Sequence, residues 1–194
     1  MPKTGPDEKV FTKLEAVQKG HFLLTSGNHS DTYVQCSRIL ERPDVSAKLC
    51  KKLVQPWMNK GISLVAGPAL GGIVLAYEAA RPLKARAIYL ERVDNQMTLR
   101  RGFAVKPGEK VLVGEDVITT GGSVKEVVDV ITKNGGKVVG IISLVDRRPD
   151  KTADVLGYKY NAVIRVSPPI YKPDQCPLCK QGIPAVKPGS RGLK

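Results

Sequence analysis

The chain has 194 residues, of which 42% are hydrophobic and 25% charged, with 19 glycines, 14 prolines and four cysteines. Those figures suit one α/β domain with its own core and exclude collagen-like, fully disordered and disulfide-scaffold classes. The 31 basic against 18 acidic residues leave +13, which favours anionic ligands such as nucleic acid, anionic lipid or polyphosphate, or is simply a basic soluble surface. No apolar stretch approaches the ~20 residues of a membrane span, and the opening residues carry no apolar signal segment. A soluble, cytoplasmic protein is expected. No run of five or six like charges appears, so a basic nucleic-acid arm is not expected either.

In chain order, Val10, Phe11, Leu14 and Val17 fall at helical spacing and predict a helix over residues 7–19, stopped by Gly20. A turn-rich stretch through Ser26, Gly27 and Asn28 leads to a strand over 33–36. Val45, Leu49, Leu53 and Trp57 recur every four residues and predict a helix over 43–58. Beyond it lie short β-branched runs at 63–66, 85–90, 110–114, 137–145 and 162–166, with helical stretches at 72–80 and 123–134. Strand alternating with helix implies a parallel sheet covered on both faces, whose ligands bind beyond the carboxyl ends of its strands. From Pro168 onward, prolines and glycines forbid regular helix or central strand, leaving a disordered tail or a strap. The chain is expected to divide into an N-terminal segment (1–40), a core (41–166) and this tail (167–194), all within a single domain.

Three strand-to-helix loops carry the chemistry. The strongest signal runs from Val111 to Ser123: an apolar strand ends in Glu115 and Asp116, then Val117 and Ile118 lead into Thr119, Thr120, Gly121, Gly122 and Ser123. The adjacent acids can present carboxylates to vicinal hydroxyls or to a hydrated cation. The hydroxyl- and glycine-rich turn surrounds a helix N-terminus, where a phosphate is favoured. Acids before a phosphate loop suggest a sugar phosphate, and neither a nucleotide P-loop nor a dinucleotide fingerprint is present. The second loop, Gly67, Pro68, Ala69, Leu70, Gly71 and Gly72, has glycines that admit close backbone approach. The third, residues 91–102, is polar and carries Arg92, Arg100 and Arg101; a solvated hairpin with surface arginines is its plainer reading.

The acid-acid-hydroxyl-glycine order resembles the 5-phosphoribosyl 1-diphosphate signature of the type I phosphoribosyltransferases. The resemblance covers roughly residues 7–166. It implies a parallel-sheet, Rossmann-like core flanked by helices, with a small hood from the N-terminal segment and the tail. The opening 20–33 and the strand ending Asp146-Arg147-Arg148 are similar to the orotate-specific members, as is the run from Met97 to Phe103. On that resemblance, Glu115 and Asp116 hold ribose hydroxyls, and residues 117–123 hold the phosphate. The loop 67–72 cradles diphosphate, Thr119 and Arg147 contact orotate, and Arg148 is the second choice for that anchor. Arg92 stands in for a lysine missing from a mobile loop shared between subunits, with Asp116 and Arg92 the catalytic pair. Where relatives have lysine, this chain has Thr25 and, in the diphosphate loop, Gly71. Mg²⁺ is expected, bound mainly through substrate oxygens with no dedicated protein ligands. A homodimer is implied, with orotate and phosphoribosyl diphosphate as partners and neither membrane nor nucleic acid.

Two other functions fit part of this pattern. A transferase for another base would share the phosphate loop but not the Arg147 anchor. A regulator built on the same fold would sense phosphoribosyl diphosphate and bind nucleic acid through the basic surface. Cys176 and Cys179 form a Cys-Pro-Leu-Cys knuckle, half of a zinc site or merely a turn. No second pair follows within the usual spacing, and His21 and His29 lie far upstream.

Overall fold

The computed structural model describes residues 5–24, 26–149 and 154–188. Thr25 and the last residues of the tail lie outside that range. The backbone falls into two compact units, residues 39–166 and the paired segments 1–38 and 167–194.

In the smaller unit, α1 (Pro6–Lys13) is followed by β1 (Val17–Leu23) and β2 (His29–Val34). The expected helix to residue 19 ends early. Leu14 caps it, Glu15 takes a left-handed φ of 55°, and β-branched Val17 pairs with Val34. Gly20 therefore sits within a strand, beside a register shift between Lys19 and Phe22. The short α2 (Ser37–Leu40) leads into the larger unit. The tail is more ordered than its prolines suggested. β10 (Ile170–Tyr171) adds to β2 as a third strand, and α6 (Pro177–Lys180) follows a 3₁₀ turn at Pro173–Gln175. Two-residue strands and single-turn helices are what proline at this density permits.

The larger unit begins with α3 (Pro43–Leu53) and a 3₁₀ turn at Gln55–Trp57, where Pro56 breaks the helix expected to reach residue 58. Then come β3 (Leu64–Pro68), α4 (Gly71–Leu83), β4 (Arg86–Val93), β5 (Gln96–Leu99), β6 (Lys110–Ile118), α5 (Gly122–Lys133), β7 (Lys137–Asp146), β8 (Asp154–Val155) and β9 (Tyr158–Arg165). They form a seven-stranded sheet in the order β5-β4-β3-β6-β7-β9-β8. The five inner strands are parallel, and β5 and β8 pair antiparallel at the edges. Alternation along β6 sends Val111 and Val113 into a buried cluster with Val124, Val127, Val128 and Ile131 of α5. On the opposite face, Gly114 packs against Leu75 of α4, and Gly140 lies under Trp57, whose indole N–H donates to the Val139 carbonyl at 3.3 Å. Any side chain at Gly140 would meet that ring.

This strand order positions the site. From β3 the chain passes through α4 to β4 on one side; from β6 it passes through α5 to β7 on the other. The switch point lies between the carboxyl ends of β3 and β6, where open α/β sheets bind ligands.

Candidate active site

On the β6 side of that switch point lies a small open recess, lined by Glu115, Val117, Ile118, Thr119, Thr120, Gly121, Gly122, Ser123 and Val124. β6 runs past the two acids, which the sequence pattern puts at the strand's end, and closes two residues later at Ile118. Gly121 turns the backbone with φ +78° and opens α5, and its carbonyl accepts the first helical bond from Lys125 at 2.8 Å. The positive end of the α5 dipole therefore faces the hydroxyl-bearing wall of the recess.

The acids are held by short local bonds. The Asp116 N–H donates to Glu115 Oε1 at 3.2 Å, and the Val117 N–H donates to Asp116 Oδ1 at 2.9 Å. Burial, reinforced by the neighbouring Asp116 charge, pushes the Glu115 carboxyl up to about 9.

The second loop meets this pair directly. A Cβ on Gly71 would collide with the Asp116 carboxylate, so a side chain there, lysine included, would displace the acid. Gly67 and Gly72 are required by the fold itself: a Cβ on Gly67 would stand 2.6 Å from the Gly72 carbonyl oxygen and 2.7 Å from that of Gly114. The Ala69–Leu70 peptide is cis, and both residues are exposed, as Pro68 is not.

The third segment is a β4–β5 hairpin, not a loop, turning through Asp94 and Asn95, both with positive φ. Arg92 lies on β4 and is paired within its own chain to Glu126 of α5 at 2.8 Å. Arg101 pairs with Glu91 at 2.8 Å. Neither guanidinium lines the recess.

At the end of β7, Asp146 is buried and held by two guanidiniums. Arg148 donates through Nε at 3.0 Å and Nη2 at 3.1 Å, and Arg165 through Nε at 2.8 Å. Burial would raise the Asp146 carboxyl, but these bonds hold it below its usual range. Arg148 is also buried over the Tyr160 ring and gives Nη1 to the Asp154 carbonyl at 2.7 Å. That commits Arg148 to the fold. Arg147 follows the end of β7, and its backbone N–H donates to the carbonyl of Ile118, a recess residue, at 2.8 Å. The structure thus brings together the acid pair, the hydroxyl-glycine turn, Gly71 and the Arg147 backbone, and leaves Arg92 aside. Sequence reasoning missed Glu126 as Arg92's partner and Asp146 as a buried anchor. An acid before paired arginines was the available signal for the latter.

Cys176 and Cys179 lie in the smaller unit, beside His21 and His29.

A family model for the phosphoribosyl transferase domain matches residues 36–178. An orotate phosphoribosyltransferase of Desulforamulus reducens is 53% identical over 184 residues, covering 95% of each chain. One from Thermotoga maritima is 48% identical over 187 residues, covering 96% of this chain and 99% of the relative. Among solved structures, the orotate phosphoribosyltransferase of Aeropyrum pernix superposes with TM-score 0.64 at 27% identity, over 81% of this chain and 92% of that one.

Proposed function

From the premise that the chain belongs to the phosphoribosyl transferase domain family, and within it to the orotate phosphoribosyltransferases, we propose that the β3/β6 recess joins orotate to the ribose 5-phosphate of phosphoribosyl diphosphate. The observation that carries this reading is one cavity lined by Glu115, a hydroxyl-glycine turn and a helix N-terminus, with Asp116 next to Glu115 and against Gly71. In the reaction the C1–O bond to diphosphate breaks, the bond from orotate N1 to C1 forms, and N1 gives up its proton. The products are orotidine 5′-monophosphate and diphosphate.

Each residue has a positioning task. Amides and hydroxyls of Thr119, Thr120, Gly121, Gly122 and Ser123 take the 5-phosphate, where the helix end favours negative charge. Asp116 and Glu115 hold the vicinal ribose hydroxyls and steady C1 as positive charge develops there. The backbone of 67–72 faces the diphosphate. Arg147 offers its planar fork to the orotate carboxylate, and Thr119 stands between phosphate and base. Arg92 reaches the departing diphosphate only after exchanging Glu126 for it, through movement of the β4–β5 hairpin. The recess side chains that can ligate are all oxygen donors, which fits Mg²⁺ held mainly through substrate oxygens. Bound there, Mg²⁺ supplies neutralisation of the leaving diphosphate. Residues 1–194 act as one phosphoribosyltransferase domain, in a cytoplasmic homodimer that shares the hairpin. No helix among the described residues is long and apolar enough to cross a membrane.

Loss of orotate's ultraviolet absorbance, dependent on Mg²⁺ and matched by diphosphate release, tests the reading. Arg147→Ala is expected to raise KM for orotate far more than KM for phosphoribosyl diphosphate. Equal rises would take Arg147 out of the base pocket.

A further inference from the structure

His21, His29, Cys176 and Cys179 come from distant parts of the sequence, yet their ligand atoms all lie within 4.8 Å of one another. The sheet of the smaller unit brings them together. β1 carries His21, the adjacent β2 carries His29, and β10 on the other edge of β2 leads directly into the Cys-Pro-Leu-Cys turn. His21, His29 and Cys176 are buried, and Cys179 closes the group from the surface.

Their geometry is that of a cation cage. A tetrahedral zinc with bonds of about 2.0–2.1 Å to nitrogen and about 2.3 Å to sulfur sets nitrogen-to-sulfur edges near 3.6 Å. The corresponding edges here are 3.5 Å (Cys176 Sγ to His21 Nε2), 3.7 Å (Cys179 Sγ to His21 Nε2) and 3.3 Å (Cys179 Sγ to His29 Nδ1). The two imidazole nitrogens stand 2.7 Å apart, about 0.6 Å short of the nitrogen-to-nitrogen edge of such a site, and all four ligand atoms lie within 4.8 Å of one another. The His21 orientation is already fixed for ligation. Its Nδ1 lies 2.6 Å from the Ile183 carbonyl, a contact that requires a proton on Nδ1 and leaves the Nε2 lone pair facing the cluster. A backbone carbonyl holding the far nitrogen is the usual support of a metal-bound histidine.

We infer that these four side chains bind one zinc-class divalent cation, at a structural site separate from the transferase recess. Two thiolates balance the dication, so the buried complex is neutral. Four protein ligands leave no open position for substrate, as in structural rather than catalytic zinc sites. The cation's work is to tie the N-terminal hairpin to the tail. Among the described residues the other ties are slight: a two-residue strand, a bridge between Phe22 and Val186, and side-chain bonds from Ser30 Oγ to the Pro169 carbonyl and from His21 to the Ile183 carbonyl. A module with so little core is where a metal staple contributes most.

The test is metal analysis of the full-length chain, purified under reducing conditions without chelator from zinc-supplemented cells. The expected result is about one zinc per chain, resisting gel filtration and lost in Cys176→Ser/Cys179→Ser. Should that variant not fold, wild-type chain stripped of metal answers alone. Added Co²⁺ should give the intense visible bands of tetrahedral cobalt with thiolate charge transfer, displaced by Zn²⁺, and the melting temperature lowered by stripping should recover. Substoichiometric zinc with no cobalt bands overturns the inference, as does zinc retained undiminished in the folded double-serine variant. None of these readouts depends on the transferase reaction.

Discussion

Glu115 and Asp116 are adjacent acids near the end of β6, and burial acts on the Glu115 carboxyl. Glu115 binds its proton more tightly folded than unfolded, its carboxyl rising from 4.5 to about 9 through burial and then the Asp116 charge. Linkage gives the sign: the folded chain holds the extra proton across that interval, so the contribution of Glu115 to stability is fully present below about pH 4.5, is lost as pH climbs towards 9, and is level above it. Glu115→Gln removes this slope. Denaturant titrations at pH 5.5 and 8.5 should show the wild type losing stability relative to the variant at the higher pH; parallel behaviour would mean Glu115 is ionised in the free protein. Asp116→Asn keeps the shape but not the charge, and should lower turnover by about 10²-fold with circular dichroism unchanged. Unaltered turnover would remove Asp116 from the chemistry.

Among the elements, the strand-turn-helix around β6 and α5 was legible because its signal is local: β-branched run, acids, glycines, amphipathic stretch. The same held for β3 and α4. What failed was information held in distant partners. Val17 reads as helical until Val34 pairs with it, and the tail's prolines say nothing of β2 waiting beside Ile170. After β7 the resemblance ranks Arg147 before Arg148 but gives no physical reason. Asp146 sorts them, drawing Arg148 and Arg165 inward. Asp146→Ala leaves buried Arg148 without its carboxylate and should destabilise the chain by about 3–5 kcal/mol in equilibrium unfolding. A loss below about 1 kcal/mol would show that the pair is no more than a surface-like contact.

At the scale of the whole molecule, strand order is the decisive fact, because it sets β3 beside β6 and so puts Gly71 against Asp116. Sequence reasoning found both loops but not their contact, which only the sheet supplies. The same holds for the Cys176–Cys179 knuckle, whose histidine partners are remote in sequence and adjacent in the three-stranded sheet. The +13 charge agrees with a protein whose substrates are a carboxylate and a polyphosphate. Orotate differs from uracil only by the carboxylate assigned to Arg147, so the most direct measurement compares the two bases with phosphoribosyl diphosphate and Mg²⁺, following nucleotide formation by chromatography. The account predicts kcat/KM for orotate higher by about 10³-fold or more; comparable use of uracil, or turnover with neither base, would contradict it.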